Sequence, residues 1–441
     1  MTVFPKSGFK IHLKPAEELV PTTDWFEFLN KATAKVFQEA GVVLRGHGYK
    51  YHDFDFWREL VFMTLNHLSV ESAGDDLDDL LYAQAHHGRG RKPAKKRLGG
   101  SIKRFTRLAP NESQVDDFLR ELGDELRETL ADRILKATVD LAWEEGLIGD
   151  EVEVLVDYHN KYFYGKDVFP ANPFITGVHK GPGTNKARKF CALMLSSGRT
   201  WLFFGVFLTQ QGKEKAPGVA AAIEKLRQWG YKIKRVMGDR EFSNYDLVAR
   251  LTQLDLHYTG SIKKSPRVKE VVDAFLAGEC RAVVSFALQQ GPKTYYKLGD
   301  VPVHLILKVH KGERARDVRK TLAAGTITLK EARKKVHVFV TSEQPPREKG
   351  KLVPWGLALI AGFRRRWRIE TGFRDLNRLF PTSHARSNGA KMLVLALQMF
   401  AFNAWQIQRA RTHKLRRVPK AWRAGPTLQR FGKVVTAFCA C

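Results

Sequence analysis

Val152-Glu153-Val154-Leu155-Val156-Asp157 is an apolar, strand-like run that ends on a carboxylate, and the succession of elements after it decides the fold. Two more strand-like runs come next, at 189–196 and 201–208, then a helical pattern at 217–228 and a strand at 232–237. This last strand runs into Gly238-Asp239-Arg240-Glu241-Phe242, so a second carboxylate stands just beyond a second apolar run. A helix at 244–254 and a strand at 257–262 complete the series. A third acid stands in a helical context, Arg364-Arg365-Arg366-Trp367-Arg368-Ile369-Glu370.

Three strands, helix, strand and helix imply an α/β fold with the order of a ribonuclease-H-like core, which predicts Asp157 and Asp239 at adjacent strand ends. Its last part is delayed. Residues 263–351 read as a β-rich insertion, with strands at 281–288, 294–298, 301–309 and 336–340 around a helix at 268–276 and a charged stretch at 311–335. One helix from Leu352 to Phe380 then carries Glu370, and another from about 390 to 411 presents Leu393, Leu397, Phe400 and Ala404 on its apolar face. Before the first strand the pattern is helical. Val115, Phe118, Leu119, Leu122, Leu126 and Ile134 keep helical spacing, with Ser113 as a cap, and a helix-turn-helix is expected around 60–81. The expected organisation is a helical DNA-binding region over 1–148 with a basic loop at 86–107, a catalytic domain over 149–262 and 352–412, the insertion at 263–351, and a basic tail at 413–441.

The chain has 441 residues, 44% hydrophobic, enough for a sizeable core, and carries a formal net charge of +28. An ordinary globular composition with that surplus of Lys and Arg excludes disorder as its cause and points to a polyanionic partner. Duplex DNA, an RNA and an acidic membrane surface all satisfy charge alone. Each phosphate neutralised on duplex DNA steepens the salt dependence by roughly −0.9 in the log–log slope. In the basic loop, Arg89 and Arg91 alternate with glycines in Gly88-Arg89-Gly90-Arg91, as in short arms that enter the minor groove; a solvated linker has the same composition. Cys191, Cys280, Cys439 and Cys441 show no disulfide or zinc spacing and read as reduced. The start lacks a signal-peptide core and no apolar run is long enough to span a bilayer, so a cytoplasmic, nucleoid-associated protein is expected. His159, His179 and His257 form no ligand pattern, and Gly181-Pro182-Gly183 reads as a turn.

Acids on different elements suit metal-assisted phosphodiester cleavage, in which two divalent ions about 3.5–4 Å apart activate the attacking oxygen and stabilise the leaving one. Mg²⁺ takes hard oxygen ligands and keeps several waters, so a few carboxylates suffice, and Mn²⁺ substitutes for it. On a continuous helix Phe363, Arg366, Glu370 and Asn377 share a face, with Arg374 on the same side. That face sets one carboxylate among guanidinium groups able to grip phosphates. Trp367 reads as core, and Tyr295 and Tyr296 as the stacking candidates.

The helix resembles the Tyr-x2-Arg-x3-Glu-x6-Lys signature of bacterial and archaeal insertion-sequence transposases with an Asp-Asp-Glu triad. Arg366 and Glu370 match it, and Trp367 and Ile369 fit its usual phrasing. Asp157-Tyr158 with Tyr162-Phe163-Tyr164-Gly165, and Gly238-Asp239-Arg240 with Phe242, resemble the motifs around the first two acids. The resemblance runs from Val152 to about Trp405. It implies a transposase that binds terminal inverted repeats and cuts and joins DNA. Asp157, Asp239 and Glu370 would be its catalytic and metal-binding residues, holding two Mg²⁺ ions. DNA contacts would come from Arg240, Arg366, Arg374, Asn377 and Arg378, and the protein would act on double-stranded DNA as a homodimer. Phe363 and Asn377 depart from the signature's Tyr and Lys, which motivates the alternative of a catalytically silent, transposase-derived DNA-binding protein. A recombinase with a Tyr or Ser nucleophile would need no triad. Taken singly, each acid has a plainer role: a strand-end turn, a helix cap, or for Glu370 a surface pair with Arg374.

Overall fold

The computed structural model describes residues 35, 112–166, 172–181, 183–310, 312–377 and 387–414. The expected helix-turn-helix, the basic loop with Arg89 and Arg91, Arg378 and the basic tail lie outside them. Along the chain come α1 (Glu112–Glu121), α2 (Asp124–Glu144), β1 (Glu151–Tyr162), β2 (Ile175–Gly181), β3 (Thr184–Ser197) and β4 (Thr200–Leu208). Next are α3 (Ala216–Gln228), β5 (Lys232–Gly238), α4 (Tyr245–Gln253), β6 (Tyr258–Ser261), α5 (Pro266–Ala277), β7 (Val283–Leu288) and β8 (Val301–Val309). Then come α6 (Ala315–Ala323), α7 (Leu329–Lys334), β9 (Val336–Thr341), α8 (Leu352–Phe363), a 3₁₀ turn (Arg364–Arg366), α9 (Trp367–Leu376) and α10 (Asn388–Lys414). These elements form two compact units, one of Gly149–Ser197 and Phe207–Thr371, the other of the described residues in Met1–Ile148, Gly198–Val206 and Gly372–Cys441.

The first of these units is built on a mixed sheet with its strands in the order β2-β3-β1-β5-β6-β9-β8-β7. β1, β5 and β6 run parallel, and the rest pair antiparallel. Val152, Val154, Leu155 and Val156 of β1 and Val236 and Met237 of β5 are almost wholly buried, as central strands covered on both faces require. Asn244 caps α4 by accepting from the Leu247 amide at 2.9 Å, and Ser265 caps α5.

The strands β7, β8 and β9 continue this same sheet outward from β6, so residues 263–351 add to its edge. The strand expected at 294–298 is absent: this stretch is irregular, with Leu298 bonded through its amide to the Tyr245 hydroxyl at 3.1 Å. The charged stretch 311–335 contains α6 and α7, the latter closed by a Thr328/Glu331 capping box. β2 carries no apolar alternation, which is why it escapes a sequence reading; backbone pairing to β3 makes it a strand.

In the other unit α10 packs along α2. Of the core expected from spacing, Val115, Phe118, Leu119, Leu122, Ile134, Leu393, Leu397, Phe400 and Ala404 are buried and Leu126 is half-buried. The single N-terminal helix expected across this segment is two, parted at Gly123, whose φ of 62° an L-residue rarely adopts; Ser113 falls inside α1. Asn403 of α10 behaves as a strand edge. Its amide accepts from the Phe203 N–H at 2.8 Å and donates to the Phe203 carbonyl at 2.7 Å and the Thr138 hydroxyl at 2.8 Å. Asn403→Leu is expected to leave these buried groups unpaired and to lower unfolding stability by about 1–3 kcal/mol. A denaturant midpoint that falls with an unchanged slope would show it.

Candidate active site

β1 and β5 pair in parallel, in one register from Glu153 opposite Arg235 to Val156 opposite Gly238, and there their pairing stops. Asp157 and Asp239 are the next residues on each strand, so the two acids emerge side by side. β1 itself runs on to Tyr162 by pairing with β3, where Asp157 faces Ala192. Asp157 is therefore held within a strand, not at its frayed end.

The backbone around Asp239 is clamped from below. Its carbonyl accepts from the Phe242 amide at 3.1 Å, with the Ser243 hydroxyl 3.3 Å and the Tyr258 hydroxyl 3.4 Å away. Ser243 in turn meets Tyr258 at 2.9 Å and donates to the Ser261 carbonyl at 2.5 Å. Burial pushes the Tyr258 phenol upward, keeping it a neutral donor. The Asp239 carboxylate accepts from the Glu241 amide at 2.8 Å, a local turn that fixes its orientation. The motifs of the first two acids are joined by Tyr158 stacked on Phe242, with 4.4 Å between ring centroids. Lys189 of β3 lies over the Tyr158 ring at 3.8 Å and pairs with Glu241 at 2.6 Å. Neither Lys189 nor Glu241 carries a local sequence signal for this; only the pairing of β3 with β1 brings them here.

The helix expected over 352–380 is interrupted immediately before the third acid. Arg364–Arg366 form the 3₁₀ turn, and Glu370 lies in the first turn of α9. Arg366 is buried and bridges two carboxylates, donating to Asp157 at 3.0 Å and meeting Glu370 at 2.6 Å. Glu370 thus pairs with the arginine four residues before it, where a surface pair with Arg374 was the plain alternative. The Phe363 ring is buried edge-on to Phe339 at 5.5 Å and lies 5.4 Å from the Arg366 guanidinium. Arg240, Arg374 and Asn377 are exposed, the last two in the other unit.

Trp367 is not core. It is 64% exposed and borders an open cavity of about 370 Å³ together with Phe363, Phe339, Lys308, His337 and Arg364. The 3₁₀ turn breaks the phase that a continuous helix would have kept, and so turns this ring outward. Tyr295 is also exposed, set edge-on to Tyr296.

Electrostatically the three acids sense one another. The Asp157 carboxyl is pushed up to about 7, first by burial and further by Asp239 and Glu370, against the pull of Arg366 and the Tyr158 amide. Among the described residues no three His, Cys, Asp or Glu side chains stand together as a ready metal cage. Burial holds His159 neutral.

The family described as Transposase DDE domain matches residues 168–404, more than half of the chain. The chain belongs to this transposase family. The match takes in Asp239 and Glu370 and begins after Asp157. Among solved structures, a cryo-EM structure of a piggyBac transposase synaptic complex with hairpin DNA is similar at a TM-score of 0.45 and 12% identity, over 95% of this chain and 80% of that one. No curated protein matches significantly. No helix among the described residues is long and apolar enough to cross a membrane. The two cysteines described, Cys191 and Cys280, are free, as expected.

Gly260 keeps the clamp under Asp239 closed: a β-carbon there would meet the Ser243 hydroxyl and, at 2.8 Å, the Gly238 carbonyl. Gly260→Ala is expected to cost about 1–3 kcal/mol of stability, because the Gly238 backbone cannot yield without moving Asp239. Thermal unfolding checks it; an unchanged melting temperature would show that the backbone relaxes.

Proposed function

We propose that this protein is a DNA transposase that cuts the ends of its element by metal-assisted hydrolysis and joins the freed 3′-hydroxyl to target DNA, with Asp157, Asp239 and Glu370 as the catalytic acids. The observation that carries this is the convergence of Asp157 and Asp239 at the point where two parallel strands part, with Glu370 tied to Asp157 through Arg366. Surface pairs and turn caps do not explain why one buried arginine should join an acid of a central strand to an acid on a distant helix.

The donor set fits Mg²⁺ or Mn²⁺. All three acids are hard oxygen donors of the kind these ions take, and Asp157, raised first by burial, also feels the charges of Asp239 and Glu370. Asp157 and Asp239 would hold the ions and Glu370 would complete the site. Bound there, divalent ions supply Lewis acidity that sharpens the attacking oxygen and stabilises the leaving one. The residues of the chain do the rest. The clamp beneath Asp239 holds one carboxylate immobile, β3 holds the other, and preorganisation of this kind is what positions a nucleophile against a phosphate. Arg366 serves as a stand-in cation for Asp157 and Glu370, and phosphate oxygens compete for the same fork-shaped donor.

DNA is the partner that the charge of +28 favours. Arg240, Arg374 and Asn377 offer exposed polar groups, and Arg378, Arg89 and Arg91 supply further charge from outside the described residues. Binding of terminal inverted repeats and pairing of two ends by a homodimer are required by a transposase's task, since two ends must be cut together. Phe363 lacks the hydroxyl of the signature's Tyr but packs against the arginine that the signature keeps. That packing favours an active enzyme over a silent DNA-binding descendant.

The test is cleavage of a labelled duplex taken from the DNA flanking the gene, in Mg²⁺, Mn²⁺ or chelator. Metal-dependent nicking at the element boundary is expected for the parent. Asp157→Asn, Asp239→Asn and Glu370→Gln should each reduce it at least about a thousandfold while binding the duplex normally. Cutting retained by all three variants would refute the assignment, and tight binding without cutting would support the silent descendant. Mn²⁺ should also raise the melting temperature of the parent, and Asp239→Asn should abolish that rise.

A further inference from the structure

Four residues behind the site form a charge quartet whose role is not explained by folding alone. Glu153, 9% exposed, lies on β1 an even number of residues before Asp157, so both side chains leave the same face of the strand. Arg365 grips it with a fork, donating through Nε at 2.7 Å and Nη2 at 2.6 Å to its two oxygens. Arg235 of β5 stands 3.4 Å from Glu153 and 3.1 Å from Glu343, which lies just past β9. Two acids and two arginines thus balance one another in a mostly buried space.

The 3₁₀ turn and the start of α9 are docked on the sheet at three points. Arg365 takes Glu153, Arg366 takes Asp157, and Arg368 donates to the Ser196 hydroxyl at 2.5 Å. Ser196 is the register partner of Glu153 on β3. A 3₁₀ turn advances about 120° per residue where an α-helix advances about 100°, so three such residues rotate everything beyond them by about 60°. Glu370 comes four residues after this turn. Loss of the fork on Glu153 removes one of three anchors and leaves only Arg366 on Asp157 and Arg368 on Ser196 to oppose return to the better α-helical geometry, which loosens the rotation carried on to Glu370. Gly362 leaves room for the arrangement, since a β-carbon there would come to 3.2 Å of the Arg365 guanidinium.

We propose that Glu153, acting through Arg365, is a positioning residue that sets the 3₁₀ turn and thereby aims Arg366 and Glu370 at Asp157. This role rests on the reading of the three acids as the active site. The full-length chain tests it, with Glu153→Gln and Arg365→Lys compared with Glu370→Gln and Asp239→Asn. Three quantities are read: single-turnover cleavage of the labelled end duplex, affinity for that duplex, and Mn²⁺ binding to the DNA-free protein by paramagnetic resonance.

Expected is a loss of about 10–100-fold in cleavage rate and a parallel weakening of Mn²⁺ binding in both positioning variants, with duplex affinity unchanged. Arg365→Lys keeps the charge and removes the fork, so it decides the matter alone if Glu153→Gln fails to fold. Parental rates and parental Mn²⁺ binding in Arg365→Lys, alongside inactive Glu370→Gln and Asp239→Asn, would overturn the positioning role and leave the active site standing. If Glu370→Gln and Asp239→Asn themselves cut normally, the active-site reading fails and the positioning role falls with it.

Discussion

The bridge that Arg366 makes between Asp157 and Glu370 is the contact on which the site depends. It joins a central strand to the 3₁₀ turn, whose Arg366 lies 209 positions further along the chain. A buried guanidinium is tolerable only when carboxylates surround it, and a buried carboxylate only when a cation does. Each group makes the other's position possible. The ring of Phe363 and the break in the helix then determine where that guanidinium can lie.

The sheet makes a different contribution. Parallel pairing between β1 and β5 delivers two acids to one place with no loop of uncertain length between them and the core. Below Asp239, a tyrosine, a serine and two glycines pack so closely that the carboxylate's backbone has no slack. The two short acids are thereby fixed by the strands that carry them. The longer Glu370 stands on a helix and is joined to Asp157 through Arg366.

The relation between Asp157 and its surroundings links stability to activity. Its carboxyl is raised to about 7 because burial and two neighbouring acids outweigh one arginine. A fold that keeps such a cluster has accepted a local cost, which is a common feature of sites built for a bound cation. The neighbouring quartet of Glu153, Arg235, Arg365 and Glu343 has no such imbalance, since each acid meets an arginine.

The sequence by itself determined the mixed α/β class, the strands β1, β3, β4, β5 and β6 in chain order, the cores of α1, α2 and α10, and the candidacy of the three acids. Each rests on local signals: apolar runs of strand length, helical spacing, and acids just beyond those runs. The tertiary structure alone decided the rest. β2 is a strand because β3 offers backbone partners, and β7, β8 and β9 extend the main sheet because β6 has an open edge. Trp367 is exposed and the helix before Glu370 is broken because Arg365, Arg366 and Arg368 find partners on β1 and β3, at positions 172 to 212 residues away. Helical periodicity assumes a continuous helix, and no local pattern registers a turn that is tightened by charges from a distant strand.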